Sequence, residues 1–591
     1  MFNILSPAWH PSHTDISKCI IGRIAQSIDP DETLTYKYHA TNAFILVSEV
    51  VTTTQLTIKR SKNTNRLKSL LKECVDKGVT TSISNDPFVM AFYRHMEFRA
   101  NSWLELAEKD TTNSEWLTLI LNDAMTLEAE LKNRYAQKLV ELLMAIPLTD
   151  VANFGRHANQ GCKVCEALIA QLLFDGFSLS YLKVIAKKMQ VGDITTCFDD
   201  LDAMVNSPAT SKFSVYIHSN NCPASLRNEL GAKKRPPFQG KDMYHITTEG
   251  KDAVAAASQA IVRAARRLHL RQTGVTADKV SKVVNNDLFL PDPHVDRKFN
   301  KVKDEFNGDP LLVASRTNSL PILLMAFGID LRKVDQNVIS AVEESIFLYN
   351  QALYASSVDN SFMLLWTALE SMMGIKGSQN DIGVVCSNSG ALFSLGAFGR
   401  RISSLGRLTT LGEPIHHWRQ PTWPDALVFT EKSYCEWGEW LTKYKKGDAD
   451  DPYHQLKNEP LVGRQYTSFN DGHPKCKDVV QKIEKSCHNV RYQFERLYLT
   501  RNRIVHSGSF NEHSEDFWLH LEFYCSRILA TGIAGISKGT IRTQDPWDDL
   551  FSQVKICEAT AIKYLRSIEN EPVTAARLST AGLFRFLPAC Q

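Results

Sequence analysis

The chain has 591 residues, too many for a single hydrophobic core, and its 43% hydrophobic and 23% charged residues are ordinary for a globular protein. Its formal net charge of +3 gives no support for nucleic-acid binding by overall charge, and its 13 scattered cysteines argue against a secreted disulfide framework, so we expect a reducing, cytoplasmic environment. We find no signal peptide in Met1–Pro7, and the longest apolar run, Leu320–Ile329, is too short to cross a bilayer, so no membrane association is expected.

Residues 1–205 are predicted to be mainly helical. In Leu121–Ile146, apolar residues recur at spacings of three and four while charged residues fill the other face, which is typical of an amphipathic helix. Residues 62–76 and 163–190 carry similar patterns. The opening stretch is less regular, and Phe44–Val47 and Val50–Thr54 are candidate strands because β-branched residues are dense there.

Residues 206–330 are predicted to form a small α+β domain. Phe213–His218 alternates apolar and polar residues, and Met243–Thr247 follows it as a second strand. The alanine-rich stretch Ala253–Leu270 is predicted to be a helix. Leu288–Pro293 carries two prolines that cannot lie inside a helix, so a break is expected there.

Residues 335–570 are predicted to be helical again, which makes the fold class mainly α with a small α+β middle domain. An irregular insertion is expected at about 376–475, and residues 571–591 are expected to form a C-terminal tail. The predicted helices are Val338–Ala355, Ser361–Met373, Cys476–His506, Asp516–Ala530 and Asp549–Ile568.

Three polar side chains stand out in the helical segment before Gly508, and one of them lies inside its apolar stripe. Arg501 falls within the stripe of Phe494, Leu497, Tyr498, Ile504 and Val505, where an arginine is costly unless it is paired or lines a cleft. Asn502 and His506 are four residues apart, so they lie about 40° apart on the helix surface. A cation, an amide and an imidazole are therefore predicted to gather near one helix end.

These groups suit cleavage of RNA by its own 2′-hydroxyl. His506 can take or give a proton near neutral pH. Arg501 can donate two hydrogen bonds to the scissile phosphate, and Asn502 can orient the imidazole or a phosphate oxygen. No metal is needed because RNA carries its own nucleophile, and DNA, which lacks that hydroxyl, would be rejected.

The run Leu497–Gly508 resembles the motif helix of HEPN domains, since Arg501–His506 matches their R-x4-H motif with the common asparagine after the arginine. Phe362–Glu370 resembles the earlier helix that packs against it in larger members. The resemblance covers roughly residues 335–570. It implies a C-terminal HEPN-type helical bundle that forms a homodimer, in which two motifs build one composite site.

By the same resemblance, the protein is expected to be a metal-independent RNA endonuclease that needs no cofactor and leaves 2′,3′-cyclic phosphate and 5′-hydroxyl ends. Such domains serve in bacterial anti-phage defence, as toxins or in RNA processing. Gly508 stands where the toxin subfamily silenced by nucleotidylation usually has a tyrosine, which disfavours that mode of control.

Further residues are predicted to support this site. Glu370 is a candidate partner of Arg501 or of a neighbouring base, and Arg503, Arg400 and Arg401 are candidates for RNA contact. Residues 1–205 are expected to sense a trigger, to hold the nuclease in check or to bind an activating or inhibitory partner.

Two other functions remain open at this point: a non-catalytic HEPN protein that binds RNA or nucleotides and dimerises, or a helical scaffold. Cys162 and Cys165 form a CxxC pair, for which two buried thiols are a better interpretation than a zinc or redox site. A surface loop at His416–His417 and a solvated turn at Asp448–Asp451 are expected rather than metal sites. The basic run Arg263–Arg271 suits phosphate binding and a solvated helix end equally well.

Overall fold

The computed structural model describes most of the N-terminal and C-terminal helical regions and the strands between them. The described residues are 9–28, 42–60, 64–80, 87–109, 115–132, 134–206, 210–220, 243–257, 259–260, 263, 282–291, 299–301, 320, 324, 336–355, 358–373, 381–400, 475–507, 514–541 and 545–586.

The N-terminal region is helical in every described segment up to residue 206 apart from its turns. Its α-helices are α1 Asp15–Ile28, α2 Ala43–Arg60, α3 Asn65–Thr80, α4 Pro87–Lys109, α5 Glu115–Lys132, α6 Tyr135–Met144, α7 Phe154–Phe174, α8 Leu179–Val191 and α9 Ile194–Val205. The predicted single helix Leu121–Ile146 is wrong, because α5 ends at Lys132 and a separate helix, α6, begins at Tyr135.

The candidate strands at Phe44–Val47 and Val50–Thr54 are also wrong, because both lie in α2. Its buried residues Ala43, Leu46, Val47, Val50 and Thr54 recur at spacings of three and four, so they form one helical face. Three hydroxyls of this helix donate to the carbonyl four residues earlier, a bond that accommodates threonine within a helix: Thr52 to Ser48 at 3.0 Å, Thr54 to Val50 at 2.7 Å and Thr57 to Thr53 at 2.8 Å.

The middle region contains a four-stranded antiparallel sheet in the order β2-β1-β3-β4, with β1 Ser211–Asn220, β2 Met243–Gly250, β3 Lys282–Pro291 and β4 Phe299–Lys301. The two predicted strands are confirmed, and Val215 pairs with Ile246 across them, both buried. Leu288–Pro291, where a break was expected, is instead the end of β3, and residues 292–293 lie outside the described residues.

The C-terminal region consists of α10 Gln336–Tyr354, α11 Val358–Met372, α12 Asp381–Leu395, α13 Cys476–Ser507, α14 Ser514–Ser537, α15 Pro546–Ser567 and α16 Ala575–Thr580. The helix α12 lies in the stretch predicted to be irregular, and it packs against α13. The rest of that stretch, from residue 401 to 474, lies outside the described residues.

Residues 571–586, in the stretch expected to form a C-terminal tail, pack onto the bundle. The amide of Cys476 donates to the carbonyl of Glu571 at 3.0 Å. Leu578, Leu583 and Phe584 are buried. This segment therefore covers the start of α13 and bonds to amides that a helix N-terminus otherwise leaves unpaired.

One apolar cluster contains buried residues of both helical regions, from Ile16 to Phe586. The predicted boundary at residue 205 therefore does not separate two hydrophobic cores. Within the described part of the chain, no helix has the length and apolar composition needed to cross a bilayer.

Candidate functional site at the end of helix α13

Helix α13 carries the residues of the predicted site. It runs for 32 residues, about 48 Å, and begins where the carboxylate of Asp478 accepts a hydrogen bond from the amide of Lys475 at 3.0 Å. Its described segment ends at Ser507, so Arg501, Asn502 and His506 all lie within its last two turns.

The burial of α13 changes along its length. Val490, Phe494 and Leu497 are fully buried, whereas residues 498–504 are all half-buried and Val505 is 49% exposed. The predicted placement of Val505 in the core stripe is therefore wrong. After Leu497 the helix is only partly buried, with Tyr498 and Ile504 packed against the core, so part of its last two turns is open to solvent or a ligand.

Arg501 and Asn502 contact each other at this end. The Nη1 of Arg501 donates to the Oδ1 of Asn502 at 3.1 Å. The Nε of Arg501 is buried and has no hydrogen-bond partner among the described residues. A buried donor without a partner is costly, so it would gain from an anion placed beside it.

His506 is the third residue of the predicted site. The structure places its backbone in the last turn of α13, four residues after Asn502. Its side chain lies outside the described residues.

Glu370 lies on α11, which packs against α13 as expected. The indole of Trp366 donates to the Oε1 of Glu370 at 2.5 Å, and the Trp366 ring lies 5.7 Å from the ring of Tyr498. None of the described hydrogen bonds or ion pairs joins Glu370 to Arg501. The contact of Glu370 is thus with the aromatic side chain that supports α13 one turn before Arg501.

The three arginines predicted to contact RNA differ in position. Arg503 is half-buried, and burial lowers its pKa although the charge of Glu49 acts in the opposite direction. Arg400 is 2% exposed, donates to the carbonyl of Phe393 and lies over the ring of that residue. Its burial argues against the predicted RNA contact. Arg401 lies outside the described residues.

Sequence reasoning missed the polar contacts that join α13 to the N-terminal helices α2 and α3. The guanidinium of Arg496 binds two carboxylates, with Nη2 at 2.7 Å from Glu49 Oε2 and 2.6 Å from Glu73 Oε2. Burial by itself would lower the pKa of Arg496, but these carboxylates raise it well above its usual value. The position of Arg496 between the apolar residues Phe494 and Leu497 was the sequence signal for a buried ion pair.

Two further contacts join the same helices close to this pair. Glu495 accepts hydrogen bonds from Arg66 and, at 2.8 Å, from the hydroxyl of Ser69. The hydroxyl of Tyr492 donates to Asp76 at 2.9 Å. Helix α3 therefore binds α13 over at least one full turn.

The other candidate sites of the sequence analysis are the cysteine pair, the possible metal sites and the basic run. Cys162 and Cys165 are buried thiols rather than a disulfide, as predicted, and burial raises the pKa of Cys165 well above its usual value, which keeps it unreactive. Among the described residues, no cluster of His, Cys, Asp and Glu has the composition of a metal site. His416–His417, Asp448–Asp451 and the basic run after Arg263 lie outside the described residues.

No protein-family model matches this chain, and the comparisons with curated proteins and with solved structures found no match either.

Proposed function

We propose that the end of α13 is the centre of a metal-independent RNA endonuclease of the HEPN type. The single observation that carries the proposal is the pair of Arg501 and Asn502, bonded to each other on the half-buried end of a helix that has a fully buried face up to Leu497. The R-x4-H spacing to His506 and the packing of the Trp366 helix add to it.

The reaction would form a bond between the ribose 2′-oxygen and phosphorus and would break the bond from phosphorus to the 5′-oxygen. An imidazole at His506 would move a proton, from the 2′-hydroxyl or to the departing 5′-oxygen. The guanidinium of Arg501, with its buried Nε donor, would bind the phosphate as negative charge develops on it. Asn502 already orients Arg501, and its amide nitrogen could donate to the substrate.

A homodimer is part of this proposal and rests on the resemblance. The reaction removes a proton from the 2′-hydroxyl and supplies one to the departing 5′-oxygen, and two imidazoles can do both in the same step. A second copy of the motif, brought close by dimerisation, would provide the second group. A role in bacterial defence or as a toxin is part of this proposal and rests on the resemblance.

The test compares wild type with His506→Ala, and uses His488→Ala as the control, because His488 is exposed on the same helix far from its end. Each purified protein is incubated with total RNA and excess EDTA, and the cut ends are mapped. We expect cyclic-phosphate ends with wild type and His488→Ala and their loss in His506→Ala, by about 100-fold or more.

Equal cleavage by His506→Ala and wild type would refute the proposed site. Tight RNA binding by all three proteins without any cleavage would support a non-catalytic RNA-binding protein instead. A wild-type protein that stays monomeric with RNA bound and still cleaves it would refute the composite site while leaving the nuclease intact.

A further inference from the structure

Helix α13 has two faces that bind different parts of the molecule. At about 100° per residue, Tyr492, Glu495, Arg496 and Arg503 lie within about 100° of arc. The first three of these bind α2 and α3 of the N-terminal region. The opposite arc carries Phe494, Leu497, Tyr498 and Arg501, of which the first two are fully buried.

The polar face continues to the end of the helix. Asn502 and His506 are seven and eleven residues after Glu495, two and three turns along nearly the same line of the helix surface. Arg503 is seven residues after Arg496 and lies in the electrostatic field of Glu49, the same carboxylate that binds Arg496. The charge of Glu49 therefore acts on α13 both at the buried ion pair and one residue from Asn502.

We propose that the N-terminal helices position the catalytic end of α13 through the joint formed by Arg496, Glu49 and Glu73, an inference that rests on the proposed function. In this account Arg496, Glu49 and Glu73 are positioning residues that do not touch RNA. They fix the rotation and tilt of the last two turns, on which Arg501 and Asn502 lie.

The geometry of the joint suits this task. Arg496 uses all three of its nitrogens: Nε and Nη2 bind Glu49 at 2.8 and 2.7 Å, and Nη1 and Nη2 bind Glu73 at 3.1 and 2.6 Å. A planar guanidinium held in two bidentate pairs cannot turn without breaking charged hydrogen bonds. Arg496 and Glu73 are 5% and 1% exposed, so water does not replace those bonds.

The end of α13 is less buried than its middle. Tyr498 and Ile504 pack against the core, but the described residues beyond Leu497 are half-buried or exposed, so apolar packing holds this end less firmly than it holds the middle of the helix. The ion pairs of Arg496 lie one turn before Arg501. Any ligand that moves α2 or α3 would thereby move the site, which gives residues 1–205 a physical route to control it.

The variant Glu49→Gln tests the joint while keeping the fold. The Glu49 side chain is 25% exposed, and Arg496 retains Glu73 in the variant. Glu166→Gln is the matched control, because Glu166 is 34% exposed and binds the buried guanidinium of Arg23 at 2.7 Å within the N-terminal region. Both variants weaken one buried arginine pair. The pair of Glu49 joins α2 to α13, whereas the pair of Glu166 with Arg23 joins two helices of the N-terminal region.

Two readouts are measured on the full chain. The first is hydrogen exchange of the amides in residues 497–506, which we expect to become roughly tenfold faster in Glu49→Gln and to stay unchanged in Glu166→Gln. The second is RNA cleavage, for which we expect kcat to fall about 10- to 100-fold in Glu49→Gln with little change in KM, because the phosphate-binding groups remain but lie out of place.

The positioning role stands when both readouts change in Glu49→Gln and neither changes in Glu166→Gln. Unchanged exchange in Glu49→Gln, an equal response of the two variants, or faster exchange with unaltered kcat would each overturn it. A wild-type protein that cleaves no RNA would refute the proposed function alone, and the exchange experiment would still decide whether the joint holds the end of α13.

Discussion

Replacement of Arg496 by methionine is the most informative test of how the two helical regions are held together. The change removes the cation and keeps a side chain of similar length and apolar character. Glu73 is fully buried and Glu49 is partly exposed, so the variant leaves one carboxylate inside the protein without its guanidinium and another that can turn toward water.

The expected cost follows from the burial of Glu73. Breaking a buried ion pair by removing one partner costs about 3–5 kcal/mol, because a charge remains in a medium that solvates it poorly. A typical domain has only about 5–15 kcal/mol of unfolding free energy. Arg496→Met should therefore lower the urea midpoint of unfolding by about 1–2.5 M for a slope of about 2–3 kcal/mol per M.

The double variant Arg496→Met, Glu73→Leu separates lost charge from lost packing. It removes both buried members of the pair and leaves apolar side chains of similar volume, a change that is often neutral or stabilising. We expect it to recover most of the stability that the single variant loses. Unfolding in urea is followed by tryptophan fluorescence and far-UV circular dichroism for wild type and both variants.

Two results would refute this reasoning. A single variant that unfolds within about 1 kcal/mol of wild type would mean that the Glu73 carboxylate does not depend on Arg496. A double variant as unstable as the single one would mean that the loss comes from shape rather than from the stranded charge.

Two other predictions concern glycine packing and pH. Gly532→Ala would place a methyl group against the ring of Trp547 and should lower the free energy of unfolding by about 1–3 kcal/mol, measured by thermal unfolding. Gly383→Ala is the control, because no described atom lies within 4 Å of its new carbon, and it should stabilise its helix by about 0.5–1 kcal/mol. Equal effects of the two changes would contradict the close approach of Trp547 to Gly532. Burial lowers the pKa of His13 below its ordinary value of 6.5, and its Nε2 lies 3.0 Å from a backbone carbonyl. The unfolded chain therefore binds more protons just below pH 6.5, so this stabilisation is complete above that pH and is lost as the pH falls through the folded-state pKa. His13→Gln should flatten the fall of the melting temperature on acidification, and an unchanged pH profile would rule His13 out as its source.

Periodicity predicted most of the long helices and both of the first two strands, because each pattern is local. The alternation of Phe213–His218 identifies a strand by its two faces, and β1 has the expected partner in β2. The same local reading failed at α2, where β-branched composition favoured strands. Ala43, Leu46, Val47 and Val50 are spaced to form one face of a helix. Burial of that face outweighs the small preference of β-branched residues for strands.

The sequence by itself determined that Arg501, Asn502 and His506 lie on one helix end, because their spacing and the apolar stripe around them are local properties. It could not determine how far the core extends along that helix. Val505 continues the apolar pattern but is exposed, and Arg400 is charged but buried, since burial depends on which elements pack alongside.

The partners of Arg496 were decided by the tertiary structure alone. Glu49 and Glu73 are 447 and 423 residues away along the chain, a separation at which no sequence pattern specifies contact. A buried guanidinium requires carboxylates, so the sequence indicated that partners must exist. Only the folding of α2 and α3 against α13 selected them, and that packing joins the unexplained N-terminal region to the candidate site.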